Sequence, residues 1–162
     1  MISKKMAEAL SDQVTKETLS AYLYQAMASQ AYYLGYKGVA NWFQIQVQEE
    51  INHAKKLYQY IQEQGAKVIL GAIPKPVGSY KDPIDLFEKT LAHEKKVTGM
   101  INNLVRLAKQ ENDAATGKML EWFVKEQVEE EEGAGKQLTK AKAAGSDKNK
   151  LAEFDKDLAG RK

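Results

Sequence analysis

Residues 39–60, VANWFQIQVQEEINHAKKLYQY, set Val39, Phe43, Gln46, Glu50, His53, Leu57 and Tyr60 at alternating intervals of four and three. That spacing is the seam of a helix packed in a bundle. At its middle, where Leu or Ile would pack best, stand Glu50 and His53. A glutamate and an imidazole three residues apart share one helical face, so both can reach a single ion. Three further stripes carry the same flaw. They read Leu10, Val14, Glu17, Ala21, Tyr24, Ala28, Ala31; then Phe87, Leu91, Glu94, Thr98, Ile101, Val105; then Leu120, Phe123, Gln127, Glu130, Ala134. Burying one bare carboxylate is prohibitive, and four without cations would keep the bundle from closing.

The interruptions place these stripes at one level. Pro74, Pro76 and Pro83, flanked by Gly65, Gly71 and Gly78, mark one long linker over 65–82. Gly35 to Gly38 breaks the first half, Gln110 to Asp113 the second, and Gly145-Ser146-Asp147 offers a helix stop followed by an N-cap. The sequence therefore predicts an all-α four-helix bundle in a single domain spanning 1–162. Its helices run over 5–34, 38–64, 83–111 and 114–143, paired as hairpins 5–64 and 83–143, with a short fifth helix over 148–158. Counted from Gly35, Glu17 lies 18 residues before, Glu50 15 after and His53 18 after. Counted from Asn112, Glu94 lies 18 before, Gln127 15 after and Glu130 18 after. At about 1.5 Å per residue, all six stand roughly 25 Å from their turns. The spacing is also an internal repeat, Glu-x32-Glu-x2-His against Glu-x32-Gln-x2-Glu. An extended linker of this length covers up to ~60 Å, more than the ~42 Å of a 28-residue helix. It can cross the bundle end to end, which makes the second and third helices parallel and brings the polar groups together.

Composition excludes much else. The 162 residues hold no cysteine, which removes disulfides, thiolate metal sites and thiol nucleophiles. With 24 basic and 22 acidic residues the net charge is +2, without the segregation expected for binding nucleic acid or a membrane surface. The longest uncharged apolar run, Val68 to Ile73, is far too short to span a bilayer. The first residues lack the apolar block of a secretory signal, so a cytoplasmic location is expected.

The convergent donors, rich in oxygen with one imidazole, suit iron or manganese; zinc would also bind. Two Fe(II) ions side by side can each give one electron to dioxygen. Tyr24, on the face of Glu17, can hydrogen-bond a ligand or supply an electron. Gln127 is either a weak ligand or a hydrogen-bond partner of one. His93 is rotated about 100° from Glu94 and belongs behind the ligands or at the surface. Glu49, Glu126 and Glu129 form an adjoining acidic group, either a solvated face or a third cation site. Trp42, Phe43, Trp122 and Phe123 are expected in the core. Gly133 and Gly135 weaken the fourth helix without an evident reason beyond a bend.

Over essentially its full length the chain resembles the non-haem ferritins of bacteria and archaea. The match is carried by Glu17 with Tyr24, by Glu49-Glu50-Ile51-Asn52-His53, by Glu94, and by Glu126-Gln127-Val128-Glu129-Glu130. The resemblance implies a di-iron ferroxidase centre. Glu17, Glu50 and His53 would hold one iron and Glu50, Glu94 and Glu130 the other, with Gln127 beside the second and Tyr24 nearby. It implies a third iron site at Glu49, Glu126 and Glu129, and a homo-oligomeric cage of 24 subunits. Such a cage oxidises Fe(II) with O2 or H2O2 and stores ferric oxide. Bacterioferritins differ: they repeat Glu-x-x-His on the fourth helix and place a haem-ligating Met where this chain has Asn52, so no haem is expected. The rival within the fold is a di-iron enzyme that scavenges peroxide or another oxidant without storing mineral. A metal-free helical interaction module is the rival outside it.

Overall fold

The computed structural model describes residues 1–162. Five helices and no strand form: α1 (Lys4–Tyr33), α2 (Lys37–Glu63), α3 (Pro83–Gln110), α4 (Ala114–Ala144) and α5 (Lys148–Ala159). Every end lies within one residue of the position expected from the breaks. Local chemistry accounts for this. Ser3, Asp82, Asp113 and Asp147 each accept a backbone N–H of the first turn that follows. At the far end of α1, Gly35 at φ +93° lets Gly35 N donate to the Tyr32 carbonyl and Tyr36 N to the Ala31 carbonyl. That is a Schellman stop, which needs a residue free to adopt positive φ.

α1 pairs with α2 and α3 with α4, and α1 also packs on α3. The crossover runs the length of α1. Ile69 N donates to Ser11 Oγ at 3.2 Å, Gly71 N to Thr15 Oγ1 at 2.9 Å, and Gln30 Nε2 to the Tyr80 carbonyl at 3.1 Å. α2 and α3 are consequently parallel.

The apolar core comes in two separate pieces. One, around Tyr24, Phe43, Phe87 and Phe154, fills the end of the bundle where α5 docks. The other, around Leu10, Leu57, Ile101 and Phe123, fills the opposite end. Between them lies a buried layer containing Gln13, Glu17, Gln46, Glu50, His53, Glu94, Gln127 and Glu130. The stripe expected on α3 is partly displaced: its buried face runs Phe87, Thr90, Glu94, Val97, Ile101, Leu104, Ala108. Leu91, Thr98 and Val105 drift to the side, because a strict seven-residue repeat slips around a straight helix of 3.6 residues per turn.

α5 packs on α2 and α4. The start of α2 has no side-chain cap of its own, and Asp155 of α5 supplies one, accepting from Val39 N at 2.9 Å. This approach is why residue 38 is glycine: a Cβ there would lie 1.6 Å from the Asp155 carbonyl oxygen. In an unencumbered helix, glycine to alanine stabilises by about 1 kcal/mol. Gly38→Ala is expected to have the opposite sign, lowering stability by about 1–3 kcal/mol through overpacking. Thermal unfolding of the two proteins checks this, and an unchanged or raised midpoint contradicts the contact.

Candidate metal centre

The mid-height layer is assembled from all four long helices. Glu17, Glu50 and His53 bring one donor atom each within 4.8 Å of one another, and so do Glu50, Glu94 and Glu130. The two sets share Glu50. A third set of the same size joins His53, Glu126 and Glu130. His53 Nδ1 lies 3.3 Å from Glu50 Oε2, and its Nε2 lies 3.5 Å from Glu126 Oε1 and 4.0 Å from Glu130 Oε1.

The side-chain hydrogen-bond donors to these carboxylates are neutral amides and a phenol. Gln13 Nε2 donates to Glu17 Oε1 at 2.8 Å, and Gln46 Nε2 to Glu130 Oε2 at 2.8 Å. Glu94 accepts from the Tyr24 hydroxyl at Oε1 and from Gln127 Nε2 at Oε2, the latter at 3.1 Å. Glu17 Oε2 and Glu50 Oε2 have no hydrogen-bond partner. No lysine or arginine pairs with Glu17, Glu50, Glu94 or Glu130. Buried charge without a counter-ion is relieved by taking up a proton. Burial, with Glu17, Glu94 and Glu130 nearby, pushes the Glu50 carboxyl well up. Burial raises Glu17 too, pushes Glu94 up to about 7, and together with Glu94 pushes Glu130 up to about 8. Orphaned oxygens, shared donor sets and neutral donors on the outer oxygens suit a pair of divalent cations.

The structure separates the other candidates. Gln127 Nε2 donates to Glu94 Oε2 at 3.1 Å and to Thr98 Oγ1 at 3.2 Å, the hydrogen-bond role expected of it beside a stripe carboxylate. Tyr24 is fully buried, and burial with Glu94 beside it raises its hydroxyl well above the ordinary phenol range. His93 stands behind it: its ring meets the Tyr24 ring edge-on at 5.8 Å and its Nε2 lies 2.8 Å from Ser20 Oγ. Burial, with Lys96 nearby, lowers His93 to about 4, so it is neutral. The expected trio of Glu49, Glu126 and Glu129 is not gathered. Glu126 turns inward to His53, Glu129 is exposed, and Glu49 Oε2 pairs with Arg161 Nη2 at 3.1 Å. All three line an open cavity of about 610 Å³ that reaches Glu130. Trp122 departs from the core expectation. It is 38% exposed, edge-on to His53 at 5.5 Å and covered on one face by Lys56 of α2 at 4.5 Å. Gln13, four residues before its partner Glu17, is signalled by spacing, whereas Gln46 stands in its own stripe but bonds Glu130 on another helix, which no spacing signals.

Fold and donor sets together define a metal-binding carboxylate bundle. A ferritin-like domain model matches residues 7–144. A bacterial non-heme ferritin of Staphylococcus haemolyticus is 38% identical over 161 residues, 99% of this chain and 97% of the relative. One from Staphylococcus aureus is 37% identical over the same shares. An open-pore ferritin of the hyperthermophilic archaeon Archaeoglobus fulgidus superposes with a TM-score of 0.99 at 43% identity, covering 100% of both chains. An engineered closed form of that ferritin gives 0.98 at 42%, covering 100% of this chain and 99% of the other. The chain belongs to the ferritin family. With that membership come iron storage and the ferroxidase activity of the family.

The raised carboxyls give the metal-free protein a defined pH response. A folded-state value above the unfolded one contributes stability that is complete below the unfolded value of 4.5 and lost as pH rises through the folded value. His93 acts oppositely but only below 6.5, where its unfolded form gains a proton. From pH 6.5 to about 8.5, where Glu94 and Glu130 titrate in the folded state, these carboxyls make stability fall as pH rises. The midpoint of the apo-protein is expected to fall over this interval, and saturating Co(II) to flatten the fall by replacing the lost protons. Thermal melts with and without the ion check both halves.

Proposed function

We propose that Glu17, Glu50 and His53 hold one Fe(II) and that Glu50, Glu94 and Glu130 hold a second. The whole chain, 1–162, then acts as one ferritin-like domain whose substrate and cargo is iron. The observation that carries this reading is the sharing of Glu50 between two donor sets, beside buried carboxylate oxygens that nothing else satisfies. A bridging carboxylate lets two cations approach because its charge lies between them.

Each residue has a task in that scheme. Glu50, Glu94 and Glu130 release the protons they hold when cations arrive, so the layer exchanges one form of positive charge for another. Gln13 and Gln46 each occupy one oxygen of Glu17 and of Glu130 and leave the other free, while at Glu94 Gln127 takes one oxygen and Tyr24 the other. Tyr24 keeps its proton and holds Glu94 by donating to it. Two Fe(II) ions losing one electron each reduce dioxygen, with two protons, to hydrogen peroxide. With peroxide as the acceptor, the same two electrons and two protons give two waters. Glu126 and Glu130 stand at the edge of the open cavity, and we assign a third iron entering or leaving the pair to them, with Glu49 and Glu129 on the approach; His53, engaged at the first ion, is not among its ligands.

The subunits associate as a homo-oligomer, and the cage is proposed to have 24 of them, to lie in the cytoplasm and to fill with ferric oxide. No helix is long and apolar enough to cross a membrane.

Two measurements test the scheme. Aerobic addition of excess Fe(II) to the apo-protein, followed by iron analysis of the size-exclusion peak, is expected to show fast oxidation and far more than three irons retained per chain. Retention of only two or three would leave the centre but remove the mineral, favouring the oxidant-scavenging enzyme. Glu50→Leu is expected to abolish the fast oxidation while leaving a folded assembly of equal or greater thermal stability, since an uncompensated buried carboxylate is replaced by an apolar group. Oxidation at the parent rate in this variant would refute the shared role of Glu50.

A further inference from the structure

Beyond the ligands, we propose that Arg161 is a positioning residue of this centre: it turns the Gln46 amide so that its nitrogen, not its oxygen, meets Glu130. Arg161 follows α5 and is not in the bundle, yet its guanidinium is fastened to α2 at Trp42, Gln46 and Glu49. Its guanidinium carbon lies 4.8 Å above the Trp42 ring, Nη1 donates to the Trp42 carbonyl at 3.2 Å, and Nη2 donates to Glu49 Oε2 at 3.1 Å. The same Nη2 donates to Gln46 Oε1 at 2.8 Å. Its backbone is held as well, Asn41 Nδ2 donating to the Arg161 carbonyl at 3.0 Å.

A glutamine amide has two chemically opposite ends, and an arginine has donors only. Whichever end of Gln46 faces Arg161 must therefore be the oxygen, which leaves the nitrogen for Glu130 Oε2 at 2.8 Å. The reverse orientation would set donor against donor at Arg161 and, with Glu130 ionised to hold a cation, acceptor against acceptor there. Gln46 supplies the hydrogen bond that Glu130 accepts. Glu130 Oε1, the oxygen on the His53 side, stays free. The guanidinium thus fixes which oxygen of Glu130 is offered to the second ion, acting from outside the layer through one amide. Arg161 touches none of the donor atoms gathered at the centre, so its effect should appear on the ion held by Glu130 and leave the ion held by Glu17 and His53 unchanged.

The inference rests on the two-ion reading above, and a calorimetric titration with Co(II), which binds without turnover, separates the two. The parent is expected to bind two tight Co(II) per chain. Arg161→Gln should keep the first and weaken the second about ten-fold, the usual effect of removing a partner that orients a ligand. Gln46→Leu should do the same, and the double variant should lose no more than either single one, because both changes break one chain of contacts. The visible Co(II) spectrum of the second ion should change alike in all three. Circular dichroism confirms that each variant is folded, and either single variant suffices if the other is not. Should the parent fail to bind two ions, the two-ion reading falls and this inference with it. If the parent binds two and Arg161→Gln binds both with parental affinity, the inference alone is overturned. Losses that add in the double variant overturn it too, since Arg161 would then act by another route.

Discussion

Four carboxylates buried at one level, with no fixed cation among them, set the terms for the rest of this molecule. In water each would keep its charge without cost; here each must find a proton or a metal. The neighbours do not solve the problem. Gln13, Gln46, Gln127 and Tyr24 are neutral, and each satisfies one oxygen and leaves the net charge untouched. A bundle built only for stability would place leucine at these positions. The layer is better understood as a vessel whose contents are mobile cations, with protons as the filling when metal is absent.

The surrounding architecture serves that vessel. The crossover must span the bundle for α3 to run alongside α2 in the same direction, and it does so by hydrogen-bonding to Ser11 and Thr15, polar residues buried on α1. α2 and α4 do not pack closely, and side chains bridge them instead: Gln46 to Glu130, His53 to Glu126, and Tyr60 to Thr116. That looser seam gives the open cavity access to Glu130. α5 closes the end of the bundle nearest Tyr24, where Phe154 reaches the Phe87 ring edge-on at 6.0 Å.

Much of this was legible in the sequence, because each signal is periodic. The level of Glu17, Glu50, His53, Glu94, Gln127 and Glu130 follows from counting residues to two turns, and helix ends follow from caps and a Schellman glycine. Single contacts between elements were not legible. Gly38 has the look of a turn residue, yet it lies inside α2 and is required by a carbonyl of α5 more than a hundred residues away. Glu49 and Glu129 belong by composition to the acidic group, but an arginine far along the chain takes one, and solvent the other. Trp122 is an aromatic that stays partly exposed, with Lys56 of α2 rather than the core over its face. In each case the deciding atom belongs to a segment with no regular spacing relative to the residue in question. Gly133 and Gly135 meet nothing within reach of a side chain, and the structure does not explain them.

The division of the apolar core into two pieces bears on how such a chain changes over time. Distant sites without shared partners contribute independently to stability. Leu57 and Phe123 lie on one side of the polar layer, Phe43 and Phe87 on the other, and no apolar contact joins the two groups. Either half can therefore be repacked, to suit a hotter environment or a different neighbouring subunit, without a compensating change in the other. What lies between them is then inherited as a fixed partition, and the two ends are free to diversify around it.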